Sequence, residues 1–214
     1  MNAATAILLA AVAAAPAANA PLQTEREKTL YAVGASAADS FKVFHLTPAE
    51  VAVVERGLKD ALLGKPMQVD MATYRAKVNE LAAQGYAEAS RATVTKYAAQ
   101  KGAVTTGSGL VYLSTKQGDG AAPQSTDTVK VQYDGRLSDG TVFDSSRRRG
   151  EPSTLPLDRV IKCWQEGILK MKVGGRATLV CPPELAYGPA GKPPTIPPNS
   201  ALVFDVELVG IVAK

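Results

Sequence analysis

The chain has 214 residues, of which 46% are hydrophobic and 21% charged, which is enough for one folded domain and a smaller second one. Its net charge of +4 is shared evenly, with +2 in residues 21–104 and +2 in residues 105–214. This distribution contains no basic stripe and gives no support to nucleic-acid binding. The one local basic cluster, Arg147 to Arg149, is expected to be a solvated loop rather than a phosphate or lipid contact.

The first twenty residues, MNAATAILLAAVAAAPAANA, are almost all small and apolar. The run is too short and too rich in alanine to span a bilayer comfortably, and alanines at 15, 17, 18 and 20 offer cleavage sites. Although no Lys or Arg precedes it, the segment predicts a secretory signal peptide over residues 1–20. The alternative is a disordered Ala-rich tail. We therefore expect a periplasmic or secreted protein, with association with the outer membrane left open.

Residues 21–104 are predicted to be helical. Thr47 is suited to cap a helix that starts with Pro48, has Glu50 three residues after the cap, and stops at Leu63-Gly64-Lys65-Pro66. A second helix is predicted from after Asp70 to about Lys101, weakened midway by a glycine. The apolar stripes of both helices provide too little core for an independent fold, so two chains could complete each other's core in a homodimer. The alternative is that the helices pack on the C-terminal part of their own chain.

From about residue 105 the pattern changes to strands. Alternating or continuous apolar runs predict strands at 110–114, 129–137, 176–181 and 202–212. One short helix is predicted from Trp164 to Met171, ending at Gly174-Gly175. Together these elements predict an α+β domain, in which an antiparallel sheet wraps around one short helix, preceded by an all-α segment.

The most informative segment runs from Val129 to Ser146. Its first strand places Tyr133 on the core face and enters an Asp-Gly turn, and the returning strand ends with Phe143 beside Asp144. An aromatic ring next to a carboxylate, with a second ring on the same face, is suited to an apolar hollow with one polar handle. Considered alone, the segment is better explained as an ordinary structural hairpin, and the other segments of the chain are what favour a binding site.

Two further segments add residues suited to the same hollow. In the first, Trp164 could form a floor and the N–H of Ile161 could face the hollow as a donor. In the second, Tyr187 offers a ring and a hydroxyl, and a proline-dense loop at 189–198 could hold Ile196 over a pocket. Trp164 could also anchor the core, which does not exclude a role in the hollow. The alternatives for the proline-dense loop are a stiff surface loop or a Pro-rich ligand for another protein.

The remaining reactive side chains are few. Cys163 and Cys181 are expected to be two separate buried thiols, although export would permit them to pair. Without a nearby histidine they do not predict a metal site, and the single His45 lies far along the chain from every motif. No metal or cofactor is expected.

The motifs VxVxYxGxLxDGxxFDSS, VIxxW, AYG, IPP and LVFDVEL, in this order, resemble those of the FKBP-type peptidyl-prolyl cis-trans isomerases. The resemblance covers residues 105–214. YAVG at 31–34 and GLKDAL at 57–62 more weakly resemble the helical dimerisation segment of the exported macrophage infectivity potentiator group. Together the two resemblances imply a signal peptide at 1–20, a dimerisation segment at 21–70, a linker helix at 71–104 and an isomerase domain at 105–214.

The resemblance also implies roles for eleven residues. The expected catalytic residues are Tyr133, Phe143, Asp144, Ile161, Trp164 and Tyr187, and the expected substrate-binding residues are Arg149, Leu155, Val160, Ile196 and Phe204. Departures from the family pattern are Leu155 where an aromatic is expected, Cys163 where the family has glycine, and Lys192 and Thr195 in the flap.

The implied partners are proline-containing polypeptides, chiefly unfolded exported proteins, with macrolide immunosuppressants as inhibitors. The alternative function is a dimeric periplasmic chaperone or adaptor that binds hydrophobic segments with little catalysis.

Overall fold

The computed structural model describes residues 20–212, so the predicted signal peptide lies outside the described residues except for Ala20. The described chain divides between Lys42 and Val43 into two compact units. The first contains helix α1, Glu25–Ala37, whose N-terminus is held by a reciprocal capping box between Thr24 and Glu27. No residue of α1 is buried.

The second unit begins with two longer helices. Helix α2, Pro48–Leu62, has the predicted cap at Thr47, with Glu50 closing the capping box and Pro48 in the first turn. Helix α3, Met71–Ala98, starts where Asp70 accepts hydrogen bonds from the first backbone N–H groups. Both predicted starts are confirmed, because cap chemistry is local and does not depend on the tertiary fold.

Gly85 does not interrupt α3. A Cβ added at this position would lie 1.8 Å from the carbonyl oxygen of Val43, so the segment before α2 crosses the helix where it has no side chain. The glycine that weakens the helix in isolation is therefore required for close backbone contact in the fold.

The rest of the second unit is a seven-stranded antiparallel sheet with two short helices. In chain order the elements are β1 (Ala103–Thr105), β2 (Val111–Lys116), β3 (Thr128–Arg136), β4 (Val142–Ser145), α4 (Ser146–Arg149), β5 (Ser153–Pro156), α5 (Lys162–Ile168), β6 (Arg176–Cys181) and β7 (Leu202–Val212). The strand order is β1-β2-β6-β7-β3-β4, and β5 also pairs with β3. The predicted architecture, an antiparallel sheet folded over one helix after a helical segment, is confirmed.

The two faces of the sheet are covered differently. One face packs on α5 and forms the main core, which includes Trp164, Ile168, Leu179 and Phe204. The other face carries a smaller second cluster, formed by Val111, Val180 and Val203. Val94 and Tyr97 from the last turns of α3 pack against it. Ser90 ties α3 to the segment before β7, because its hydroxyl donates to the Asn199 carbonyl and accepts from the Ala201 N–H, each at 2.7 Å.

Several local predictions were wrong. The short strands β1 and β5 were not predicted, and α5 begins two residues and ends three residues earlier than expected. Arg147 to Arg149 are exposed to solvent as expected, but they belong to the one-turn helix α4 rather than to a loop, and Arg147 pairs with Asp134 at 3.2 Å. Short elements carry too few residues for a periodic signal: β1 and β5 form by pairing with β2 and β3, and α4 is bounded by the Ser145 cap and by Gly150.

Candidate functional site

Four aromatic rings from four elements meet at the centre of the second unit. The Trp164 ring centroid lies 4.9 Å from that of Tyr133 and 5.2 Å from that of Phe204, and Phe143 lies 5.6 Å from Phe204. These three pairs are close to perpendicular, with interplanar angles of 84–88°. Tyr133, Trp164 and Phe204 are buried and Phe143 is half-buried, so the cluster has one side toward solvent.

A glycine on β3 creates the space for two of these rings. A Cβ added at Gly135 would lie 2.8 Å from Cζ of Phe143 and 2.9 Å from Cε1 of Phe204. Gly135 is not among the eleven predicted site residues. A glycine inside a strand, two residues after Tyr133, was the available signal, since such glycines often mark close approach of another group.

A polar edge flanks the rings. The Tyr133 hydroxyl donates to Oδ2 of Asp144 at 2.5 Å, and Arg149 donates to Oδ1 of Asp144 at 2.5 Å and to the Tyr133 hydroxyl at 3.1 Å. Arg149 also donates to Ser153, which fixes the guanidinium against β5. The Asp144 and Arg149 side chains remain 41% and 47% exposed, so the three groups form a closed network at the solvent boundary.

The network shifts the protonation equilibria of its members. Burial raises the pKa of Asp144, but the hydrogen bonds from Tyr133 and Arg149 outweigh it, so the pKa of this carboxyl lies below its ordinary value. Burial and the bond to Asp144 raise the pKa of the Tyr133 phenol. Asp144 is therefore charged and Tyr133 protonated at neutral pH.

Ser146, which is also absent from the predicted site residues, holds the backbone of Tyr133. It is fully buried, accepts a hydrogen bond from the Tyr133 N–H at 2.7 Å and donates to the Gln132 side chain at 2.5 Å. It follows the FDS motif directly, so the end of β4 positions both the edge carboxylate and the strand that carries Tyr133.

The segment leading into α5 supplies the floor of the cluster. Val160 and Ile161 are half-buried and pack against the main core, and the Ile161 carbonyl accepts from the Trp164 and Gln165 N–H groups. The N–H of Ile161 makes no hydrogen bond within residues 20–212 and is an available donor. The indole N–H of Trp164 is buried and unpaired within the same range.

Three further predicted residues reach the core from the periphery. Ile196 is 2% exposed, while Leu155 and Tyr187 are half-buried and pack against the main core. The Lys192 amine lies 5.7 Å from the Tyr187 ring centroid. The structure thus places nine of the eleven predicted residues in or against one core, and the other two, Asp144 and Arg149, bond to Tyr133.

The expectation for the cysteines was wrong. Cys163 and Cys181 form a disulfide with a Cα–Cα distance of 5.6 Å, and both are fully buried. The residues are 18 positions apart in sequence, and only the packing of α5 on β6 brings them together, which spacing alone does not reveal.

A separate cleft of about 350 Å³ lies between α3 and the β3–β4 turn. Its walls include Lys96, Tyr97, Arg136 and Asp139, and it contains none of the eleven predicted residues. Its charged lining differs from that of the aromatic cluster and is poorly suited to holding an apolar amide.

Comparisons with known proteins agree with the geometry. The family described as FKBP-type peptidyl-prolyl cis-trans isomerase matches residues 120–209, and the domain amino-terminal to it matches residues 26–113. The peptidyl-prolyl cis-trans isomerase Mip of Coxiella burnetii is 38% identical over 208 residues, which cover 91% of this chain and 90% of that protein. The chain belongs to the FKBP-type peptidyl-prolyl cis-trans isomerase family.

Two further similarities involve Escherichia coli. Its FKBP-type peptidyl-prolyl cis-trans isomerase FkpA is 54% identical over 116 residues, covering 54% of this chain and 43% of that protein. A crystal structure of FkpA superposes with a TM-score of 0.60 at 36% identity, covering 89% of this chain and 98% of the other. The FKBP fold and the activity of a peptidyl-prolyl cis-trans isomerase therefore apply to this chain.

Proposed function

We propose that the aromatic cluster is the isomerase site, with Tyr133, Phe143, Ile161, Trp164 and Phe204 surrounding the prolyl ring. The supporting observation is the set of four rings that meet edge to face beside a polar edge. Leu155, Val160 and Ile196 pack against the same core and would extend the apolar contact surface.

The chemistry requires no nucleophile. Rotation of an X–Pro bond faces a barrier of ~18–20 kcal/mol because amide resonance must be lost. Water stabilises the planar, polar amide more than the twisted one, whereas an apolar aromatic surface reverses this preference. A thousandfold acceleration needs only about 4 kcal/mol of differential binding of the twisted form.

Two donors at the edge of the cluster would orient the substrate. The N–H of Ile161 and the hydroxyl of Tyr187 make no hydrogen bonds within the described part of the chain, so both can bind peptide carbonyls. Asp144 would act at the pocket edge by holding Tyr133 and Arg149 in place, because both of its oxygens are already engaged by them.

A protease-coupled assay with an Ala-Leu-Pro-Phe peptide tests this assignment. Phe143→Ala should lower kcat/KM about tenfold or more, since a ring that contacts the substrate is lost. Phe44→Ala, a half-buried phenylalanine before α2, is the matched control and should leave kcat/KM unchanged. A macrolide immunosuppressant should inhibit the parent enzyme by filling the cluster. Macrolide binding with no measurable turnover would instead favour the chaperone or adaptor function.

Export is the second part of the proposal. A buried disulfide is typical of proteins outside the reducing cytosol, and it supports a signal peptide at 1–20 independently of that segment's composition. Within residues 20–212, no helix combines the length and apolarity needed to cross a membrane. We propose a periplasmic or secreted enzyme acting on proline-containing segments of unfolded exported proteins. Mass spectrometry of the secreted mature chain would locate the cleavage site.

The helical region would form a homodimer. No residue of helix α2 is buried, although the helix carries large apolar side chains: Val51, Leu58 and Leu62 are all exposed. On α3 only Gly85 and Ser90 are buried, and Tyr74, Val78 and Leu81 are exposed before the helix reaches the sheet. We propose that a second copy covers these stripes, with residues 21–70 as the dimerisation segment, 71–104 as the linker helix and 105–214 as the isomerase domain.

Light scattering on residues 21–214 tests the dimer. Leu58→Glu should convert it to a monomer, because a charge cannot be buried in an apolar interface without a partner. Arg56→Glu, a charge reversal at an exposed position on the face of α2 opposite Leu58, is the control and should leave the mass unchanged. A parent protein with the monomer mass would contradict this part of the proposal.

A further inference from the structure

We propose that the Cys163–Cys181 disulfide is a positioning element of the isomerase site, holding α5 so that Trp164 stays against Tyr133 and Phe204. The inference rests on the proposed site. It concerns two cysteines that were expected to be separate thiols, of which Cys163 stands where the family pattern has glycine.

Helix α5 needs an external restraint. It has only seven residues, and no side chain caps its N-terminus at Ile161. Helices of this length are unstable in isolation, and a missing cap removes a further stabilising contact. Its start is nevertheless the part of the helix that carries Trp164.

The disulfide provides that restraint at the first turn. Cys163 precedes Trp164 directly and connects to Cys181, the last residue of β6. One helical turn later, Gly167 lies so close to β6 that an added Cβ would be 2.7 Å from Leu179. Residues 163 and 167 share one face of the helix, so α5 is fixed to β6 at two successive turns.

The attachment reaches the aromatic cluster through the sheet. Strand β6 pairs with β7 in a register that sets Leu179 opposite Phe204 and Cys181 opposite Leu202. The disulfide therefore links the helix that carries Trp164 to the strand adjacent to Phe204, and these two rings lie 5.2 Å apart.

Trp164 also has a reason to leave its position. Its indole N–H is buried without a partner within residues 20–212, and burying an unpaired donor costs free energy that exposure to water would recover. Fixing the adjacent residue by a covalent bond opposes that rearrangement. The disulfide thus restrains a floor residue whose side chain would otherwise gain a hydrogen bond by moving.

The test compares two variants that lack the bond. Cys163→Ser/Cys181→Ser removes the disulfide with little change in side-chain volume. Cys163→Ala/Cys181→Val removes it while keeping the core apolar, and it should remain folded even if the double-serine variant does not. Val111→Ala is the control, because Val111 is fully buried in the second cluster and its truncation lowers stability without touching α5. All assays run at a temperature where each protein is folded.

We expect kcat/KM to fall about five- to tenfold in the pair variants, mainly through kcat, since misplacing a contact group by a fraction of an ångström is costly. Trp164 is the only tryptophan, so its fluorescence should move to longer wavelength in the same variants and not in the control. A folded pair variant with kcat/KM within about twofold of the parent would overturn the inference. Phe143→Ala distinguishes this failure from failure of the site assignment. If the site assignment is wrong, Phe143→Ala is also fully active; if only the inference about the disulfide is wrong, Phe143→Ala is still impaired.

Discussion

Replacing Gly135 by alanine tests whether the two phenylalanine rings must occupy their observed positions. The new Cβ would lie 2.8 Å from Phe143 and 2.9 Å from Phe204, whereas carbon atoms in contact prefer roughly 3.5–4.0 Å. The rings must therefore retreat by at least roughly half an ångström. Overpacking of this kind costs about 1–3 kcal/mol, which lowers Tm by roughly 2–12 °C in a protein of this size.

Gly135→Ala should also lower kcat/KM, and by more than the fraction of enzyme unfolded through the lost stability can explain. Both rings belong to the proposed apolar surface, and a displacement of this size at a site of differential binding should lower kcat/KM about tenfold. The assay is the protease-coupled isomerisation of a proline peptide, combined with thermal unfolding to confirm that the variant is folded.

Gly210→Ala is the matched control. It is the same substitution in a neighbouring strand, β7, where an added Cβ meets no atom within 4 Å. It should leave kcat/KM within about twofold of the parent. A folded Gly135→Ala enzyme with unchanged kcat/KM would show that the close approach of Phe143 and Phe204 does not matter for catalysis, and the proposed site would lose its main geometric support.

The remaining predictions concern the polar edge and the attachment of α3. Asp144→Leu should lower kcat/KM while changing the free energy of unfolding by less than about 1 kcal/mol, because its ion pair is partly exposed, and a fully active folded variant would exclude Asp144 from the site. A carboxyl with a depressed pKa contributes stability above its unfolded pKa and loses it as pH falls through its folded pKa. Because the ionised Asp144 holds Tyr133 and Arg149, the activity of the parent should stay level as pH falls and decline only below the ordinary pKa range of a carboxyl. Asp144→Asn should lack this decline, and identical pH profiles of the two proteins would refute the role. Ser90→Ala should lower the free energy of unfolding by about 1–3 kcal/mol in chemical denaturation, since it leaves the buried Ala201 N–H unpaired, whereas the exposed Ser36→Ala should change it by less than about 0.5 kcal/mol.

Local chemistry in the sequence was enough to predict most elements of the fold. Thr47 and Asp70 start helices through their own side chains, and the alternation around Val131 determines which face of β3 enters the core, because the side-chain period of a strand is two. The order of motifs then allowed the family resemblance to predict an FKBP-like sheet over one helix.

Contacts between distant segments were not predictable in the same way. The disulfide depends on α5 lying on β6, and the role of Gly85 depends on the chain crossing at Val43. The role of Ser90 depends on backbone groups 109 and 111 positions further along the chain. Each of these requires a tertiary arrangement that no periodicity encodes.

A catalytic surface made of aromatic rings has a specific physical difficulty, because rings that stack face to face would fill the space that the substrate needs. Here three of the four close pairs are held within a few degrees of perpendicular, and the rings come from β3, β4, α5 and β7. Such edge-to-face packing is favourable in itself by about 0.5–1.5 kcal/mol per pair. Three features position the four rings: Ser146 and Asp144 hold Tyr133, the missing Cβ of Gly135 makes room for both Phe143 and Phe204, and, by our inference, the disulfide on its neighbour restrains Trp164. The features are independent, so losing any one should weaken catalysis without dispersing the remaining rings.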